Sequence, residues 1–343
     1  MKNKIGKIIS CISCLLAAVM LTAAAFPVTA GASSGSTAPE VGLDCASAIL
    51  MEASTGKVLY EKNADEALPP ASVTKIMTLL LVMEAMERGV LGLDTVLTTS
   101  TRASKMGGSQ IYLKEGEQMR AEDLIKSGVI ASANDAAVVL AEAVSGSEEA
   151  FVAEMNRRAA ELGMKTAHFE NTNGLDDTVT DHVLSARDIA IMSRELIKHK
   201  KILEFSSTWM DTVRDGAFGL TNTNRLIRFY RGATGLKTGS TSKAKFCMSA
   251  TAERDGMSLI AVIMAAPTRD ARNSAAAALL DWGFANYSVY TYPAGDDAEL
   301  AVTGGVINTR HAVHGDFTAV VKKGDEKKVA ATPSLPESVA APV

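Results

Sequence analysis

Three short strings carry the side chains that could do chemistry: Ser72-Val73-Thr74-Lys75, Ser132-Ala133-Asn134 and Lys237-Thr238-Gly239. They occur in that order, with 60 residues from Ser72 to Ser132 and 105 from Ser132 to Lys237. A serine hydroxyl is a weak nucleophile at its ordinary pKa and needs a base beside it. Lys75 follows Ser72 by three residues, which in a helix puts the amine one turn on and on the same face. That amine serves as a base once burial and neighbouring positive charge disfavour its protonated form. Ser132 offers a hydroxyl to pass a proton between Lys75 and a leaving group, and the Asn134 amide can bind a substrate carbonyl. Lys237 and Thr238 supply a cation and a hydroxyl for a carboxylate. Singly, each string has a plain alternative: a helix cap with a solvated lysine, a cap at Asp135 before an alanine run, and a turn-rich loop. Together they point to acyl transfer through a serine with a lysine base.

The surrounding sequence indicates what positions these groups. Pro69-Pro70 stops a preceding strand, since proline has no N–H for a ladder. From Ser72 the pattern is helical, with Ile76, Leu79, Leu80, Met83 and Met86 predicted on one apolar stripe. Ser72 is thus expected to open a helix, where unpaired N–H groups and a positive dipole end can hold an oxyanion. Leu124–Ile130 reads as a second helix, and Ser132 and Asn134 fall on the turn before a third that starts at Ala136. Phe246–Ala252 and Met257–Ala265 read as strands joined at Asp255-Gly256, a two-residue hairpin signal. The Lys237 string then belongs to the first of three antiparallel strands. Gly239 permits close approach of another backbone, and a peptide could add along this edge.

With these residues in view, the chain resembles the low-molecular-mass penicillin-binding proteins, serine-type D-alanyl-D-alanine carboxypeptidases, over about residues 43–292. Further strings carry the likeness. They are Ala48–Ala53 with Thr55–Tyr60, Asn63-Ala64-Asp65, Pro70-Ala71-Ser72, Asn171-Thr172-Asn173-Gly174-Leu175, Ser185-Ala186-Arg187-Asp188 and Thr223-Asn224-Arg225-Leu226. The resemblance implies an α/β (α+β) fold of the β-lactamase/transpeptidase type, with an antiparallel sheet and a helical subdomain. It implies that Ser72 is acylated, Lys75 is its base, and Ser132 and Asn134 shape the pocket. Lys237 and Thr238 would hold the terminal carboxylate with help from Arg225, and the N–H groups of Ser72 and of Ser240, after Gly239, would form the oxyanion hole. The implied substrate is a peptidoglycan stem peptide ending in D-Ala-D-Ala, with β-lactam antibiotics as covalent inhibitors and no cofactor. Two positions depart from the family. Ser240 stands where relatives often have His or Tyr, and Thr172 stands where the usual string has proline.

Residues 1–30 read as a secretory signal peptide: Lys2, Lys4 and Lys7, an apolar run from Ile8 to Phe26, then small residues up to a cleavage site near Ala30. Its removal takes away three lysines and no acid, moving the net charge from −4 to −7, which argues against nucleic acid as a partner. Of four cysteines, Cys11 and Cys14 leave with the signal. Cys45 and Cys247 sit in apolar runs and are expected as free buried thiols, although an extracytoplasmic compartment permits a disulfide. Residues 31–42 read as a linker and 43–292 as the catalytic unit, whose helices concentrate in 122–204. After Asp281-Trp282-Gly283-Phe284 the pattern changes to short runs, with Val302–Ile307 and Phe317–Lys323 predicted as strands. Family resemblance places a small all-β domain and a membrane-binding amphipathic helix here. The stretch 293–343 reads as an incomplete version of that domain, so a truncated sequence is expected, with membrane contact only through a segment beyond it.

The five histidines, His168, His182, His199, His311 and His314, show no metal-ligand spacing, and no G-x-S-x-G elbow supports a Ser-His-Asp triad. His182 is expected as a scaffold residue near Asp181. A β-lactamase shares the three strings but adds a carboxylate in an E-x-x-x-N string; Glu170-Asn171-Thr172-Asn173 is one residue short of it. A penicillin-recognising sensor or binding module is the non-enzymatic alternative, opposed by the presence of every motif side chain.

Overall fold

The computed structural model describes residues 42–343 except 178, 293–294, 330–335, 337 and 342–343. The expected signal peptide, its cleavage site and nearly all of the linker lie outside the described residues. Among the described residues, no helix is long and apolar enough to cross a membrane.

A hairpin of β1 (Ser47–Glu52) and β2 (Val58–Lys62) leads to α1 (Lys75–Glu87). A ribbon of β3 (Val96–Thr98) and β4 (Gln118–Arg120) encloses α2 (Thr101–Ser104). The helical part follows: α3 (Ala121–Ile130), α4 (Asn134–Ser145), α5 (Glu148–Glu161), α6 (Ala186–Leu196) and α7 (Lys200–Ser206). A second ribbon, β5 (Met210–Val213) and β6 (Phe218–Thr221), precedes α8 (Leu226–Phe229). Then come β7 (Ala233–Thr241), β8 (Lys245–Arg254), β9 (Met257–Ala266) and α9 (Arg269–Asn286). The five-stranded sheet runs β2-β1-β9-β8-β7, antiparallel throughout, with β7 at one edge. As expected, β8 and β9 turn at Asp255 (φ 51°) and Gly256 (φ 76°), the two left-handed positions of a tight hairpin.

Both faces of this sheet are covered, which explains why its strands read as unbroken apolar runs. Along β1, Ala48 and Leu50 pack with Leu279 and Leu280 of α9, while Ile49 and Met51 face the layer containing α1 and α6. Gly283 lets α9 come down on the sheet, since a Cβ there would stand 2.7 Å from Leu259 and 2.8 Å from Leu50. The single stripe predicted for α1 is not what forms. Met77, Leu81, Val82 and Ala85 are buried as well, because α1 is wrapped by α3, α4, α5 and α6 as well as the sheet. A helix apolar all round belongs at the centre of a domain.

The C-terminal part is all β: β10 (Tyr287–Tyr292) pairs with β13 (Phe317–Lys322), and β11 (Gly295–Thr303) with β12 (Thr309–His314) and β14 (Ser338–Ala340). The strand predicted over Val302–Ile307 ends at Thr303. Residues 304–308 bend away around Gly304 (φ 76°).

Candidate active site

Ser72 lies in a single 3₁₀ turn, Ala71–Thr74, that runs straight into α1; the expected helix start is thus a tighter turn at its first residues. Ala71 holds φ 49°, a left-handed value that a non-glycine residue keeps only when its surroundings impose it. The imposing element is the 171–175 loop. Gly174 (φ 82°) fits so closely that a Cβ there would stand 1.8 Å from the Ala71 carbonyl oxygen. Thr74 Oγ1 donates to that same carbonyl at 2.8 Å. Thr78 Oγ1 donates to Thr172 O at 2.6 Å, fastening α1 to the loop.

Lys75 is 1% exposed, and its Nζ stands 3.1 Å from Ser72 Oγ, 2.5 Å from Asn134 Oδ1 and 3.0 Å from the Asn173 carbonyl. Burial, reinforced by the charge of Lys237, pulls its pKa well below the ordinary lysine value, with Asp135 opposing weakly. Two of the three contacts are to oxygens that only accept. A neutral amine therefore spends its two N–H bonds on Asn134 and Asn173 and turns its lone pair toward Ser72.

Thr172, where the family string has proline, makes bonds a proline could not. Its N–H and Oγ1 donate to Glu148 Oε1 at 3.2 and 2.8 Å. The buried Glu148 carboxylate also takes Nε of Arg102 at 2.5 Å, so the loop that carries Asn173 is anchored through a charge.

Ser132 sits on the turn between α3 and α4 with φ 62°, while Asn134 is the first residue of α4 and not part of the turn. Asp135 is not the cap. Ala133 occupies that position without a side-chain bond, and the buried Asp135 carboxylate accepts from the N–H groups of Ile111, Leu113 and Ala136, at 2.9–3.2 Å. Ser132 Oγ is bonded to Lys237 Nζ at 2.9 Å and not to Lys75, with which a proton relay was expected. Asn134 Nδ2 donates to Gly107 O at 2.7 Å. Both ends of this amide are thus engaged inside the protein, and Asn134 positions Lys75 here; a substrate carbonyl would have to displace Gly107.

Lys237, Thr238, Gly239 and Ser240 lie on β7 at the sheet edge. Gly239 does permit a close approach, and the partner is the nucleophile turn. A Cβ at 239 would stand 2.8 Å from Ser72 N and 2.9 Å from both Pro70 O and Val73 N. Lys237 is buried, bonded to Ser132 and to its neighbour's carbonyl, Thr238 O, at 2.8 Å. Desolvation, with Arg272 contributing, pushes its pKa down to about 7. Thr238 Oγ1 meets Thr223 Oγ1 at 2.7 Å. Ser72, Ser132, Thr238, Gly239, Ser240 and Arg225 all line one cleft of about 630 Å³. Sequence reasoning missed Arg272, a nearly buried guanidinium on the same cleft; it lies in no motif string, and only the packing of α9 brings it there.

His182 is a scaffold residue, but not through Asp181. It is buried between Thr74 Oγ1, 2.8 Å from Nε2, and the N–H of Glu170, which donates to Nδ1 at 3.0 Å. Desolvation lowers its pKa to about 4, so it stays a neutral acceptor and donor. His168 is the residue that meets Asp181, at the backbone carbonyl. Glu170 accepts from the N–H groups of Thr180 and Asp181. Cys45 and Cys247 are free and buried, and burial raises Cys247 to about 11. Among the described residues no group of three His, Cys, Asp or Glu side chains could hold a metal ion.

Comparison with known proteins points to one enzyme family. The sequence pattern of a peptidase family described as D-alanyl-D-alanine carboxypeptidase matches residues 34–268. The chain is 45% identical over 282 residues to the D-alanyl-D-alanine carboxypeptidase DacF of Bacillus subtilis, covering 81% of this chain and 72% of that one. It is 36% identical over 261 residues to DacC of Escherichia coli, covering 74% of this chain but 64% of the relative's length. Penicillin binding protein 5 from Haemophilus influenzae superposes with a TM-score of 0.81 at 30% identity, over 90% of this chain and 91% of that one. Penicillin-Binding Protein D2 from Listeria monocytogenes, in its ampicillin-bound form, gives 0.66 at 33% identity over 72% of this chain and all of that one.

Proposed function

The chain belongs to the D-alanyl-D-alanine carboxypeptidase family, and from that premise we propose how its own residues do the work. Ser72 Oγ attacks the carbonyl of the penultimate D-alanine of a peptidoglycan stem peptide, and Lys75 takes its proton. The observation that carries this is the buried Lys75 amine, 3.1 Å from Ser72 and held by two acceptor oxygens with no carboxylate on it. Such an amine gives up its proton far more readily than a solvated lysine and can serve as a base. The oxyanion is held by the N–H groups of Ser72 and Ser240, a role supported by the contact of Gly239 with the Ser72 turn. Ser132 Oγ accepts from Lys237 and so keeps its own proton free; it gives that proton to the leaving amine and takes the one held by Lys75, while Lys237, Thr238, Arg225 and Arg272 hold the terminal carboxylate. D-Alanine departs, and water hydrolyses the ester.

The same reading places the enzyme outside the cytoplasmic membrane, at the cell wall, on the strength of the lysine-led apolar N-terminus. It also makes penicillins covalent inhibitors. They acylate Ser72, but their leaving amine stays tethered, and water needs a separately placed carboxylate. Glu170, the nearest match in sequence to that carboxylate, is engaged by backbone N–H groups. The test is turnover by the purified protein: brisk D-alanine release from a D-Ala-D-Ala peptide with slow release of penicillin. Rapid penicillin hydrolysis that disappears in Glu170→Gln would make the protein a β-lactamase instead, and penicillin binding without any peptide turnover would make it a sensor.

A further inference from the structure

The buried carboxylate of Glu148 takes no part in the chemistry above, yet it is bonded to the residue next to one that holds Lys75. Glu148 opens α5 and is 2% exposed. Its Oε2 takes Arg102, while Oε1 takes both donors of Thr172, the N–H and the hydroxyl. The helix N-terminus favours a negative charge at this place as well. Thr172 is fully buried, and its one remaining polar group, the carbonyl, accepts from Thr78 Oγ1 of α1. Asn173 is framed just as closely. Its N–H donates to Asn171 Oδ1, and its own Oδ1 accepts from the N–H of Leu175. What the frame presents is the Asn173 carbonyl, 3.0 Å from Lys75 Nζ. Proline, the usual residue at 172, has its φ fixed by the ring and carries neither N–H nor hydroxyl. Thr172 has no ring, so what it bonds to must set its position.

We infer that Glu148 is a positioning residue for the base. Acting through Thr172, its carboxylate holds the Asn173 carbonyl on Lys75 and so keeps the lone pair of the amine turned toward Ser72. A charge-fixed pair does here what a proline ring does in relatives, and the two devices exclude each other. With proline at 172, Glu148 Oε1 loses both of its donors inside the protein. With an apolar side chain at 148, the Thr172 N–H and hydroxyl are left buried without an acceptor, which costs more than the bonds contributed. Positions 148 and 172 are therefore coupled, and the coupling is read in the rate at which Ser72 is acylated. The inference rests on the reading of Ser72 and Lys75 above.

Stopped-flow acylation by a fluorescent penicillin tests this, at a temperature where circular dichroism shows every variant folded. Glu148→Leu and Thr172→Pro should each lower the acylation rate constant at least about tenfold, the size of one buried polar group left unmade. The dissociation constant of the penicillin should stay within about twofold, since neither residue lines the cleft beside Ser72. In Glu148→Leu/Thr172→Pro the rate should return to within about threefold of wild type, because proline needs no acceptor. Glu148→Gln keeps an acceptor for Thr172 and should acylate within about threefold of wild type. The pH profile of Glu148→Leu adds a readout that general loosening does not move. The Asn173 carbonyl stabilises an ammonium more than a neutral amine. As that carbonyl retreats, Lys75 loses its proton more readily, and the ascending limb should move to lower pH. Losses that multiply in the double variant overturn the inference. So do wild-type acylation by Glu148→Leu, a loss in Glu148→Gln as deep as in Glu148→Leu, or a lowered rate with the limb unmoved. A wild type that penicillin does not label would instead strike the reading of the active site itself.

Discussion

Asn134→Asp probes the base directly, because it changes the charge beside Lys75 with almost no change in shape, at the loss of the bond that Nδ2 donates to Gly107 O. The wild-type amide oxygen lies 2.5 Å from Lys75 Nζ inside a fully buried site. A carboxylate there attracts an ammonium by about 6–7 kcal/mol at an effective dielectric of about 20. Desolvation of the new carboxylate opposes this. If it cancels half, about 3 kcal/mol remains, roughly two pKa units in favour of protonated Lys75. Acylation by a fluorescent penicillin at neutral pH should therefore fall about a hundredfold. The pH profile separates this cause from a lost substrate contact. An amine held protonated regains its lone pair as pH rises through its elevated pKa, so the ascending limb should move to higher pH by about two units. A lost contact would lower the rate by one factor at every pH. A rate within about threefold of wild type from pH 6 to 9, or a drop independent of pH, would refute the assignment of Asn134 to Lys75.

Ser72→Ala should abolish penicillin labelling, and Lys75→Arg should slow acylation by orders of magnitude because a guanidinium does not deprotonate in proteins; stopped-flow acylation reads both. Gly174→Ala places a Cβ on the Ala71 carbonyl at a left-handed φ, which costs at least about 1–3 kcal/mol. It should lower Tm by several degrees and slow acylation together, as the loop carrying the Asn173 carbonyl is pushed off Lys75. For Lys237, whose folded pKa lies near 7, the charged form that holds the carboxylate is lost as pH rises through that value. The kcat/KM for a D-Ala-D-Ala peptide should decline above about pH 7, and the corresponding limb in kcat should lie higher because bound carboxylate favours the ammonium. A profile flat to pH 9 would remove Lys237 from carboxylate binding.

Much here is determined locally. The order Ser72–Lys75, Ser132–Asn134, Lys237–Gly239 is readable because covalent spacing sets which groups a turn or strand presents together, and one helical turn suffices to bring Lys75 to Ser72. The hairpin at Asp255-Gly256 is equally local, since only certain residues accept two successive left-handed positions. The strands β8 and β9 are legible as two largely apolar runs on either side of that turn, the pattern of strands covered on both faces. What the sequence could not decide are contacts between strings far apart along the chain. Lys237 takes Ser132 across 105 residues and Asn134 takes Lys75 across 59; neither partner choice follows from spacing. Asp135 reads as a cap and is a buried acceptor for the 111–113 backbone. The Thr172 departure shows its meaning only once α5 brings Glu148 beside it. Arg272 has no motif to mark it until α9 packs on the sheet. The chemistry of Lys75 itself belongs to this second class. An amine three residues from a serine is ordinary in water, and it becomes a base because α4, the 171–175 loop and β7 close around it and remove the water that would keep it charged.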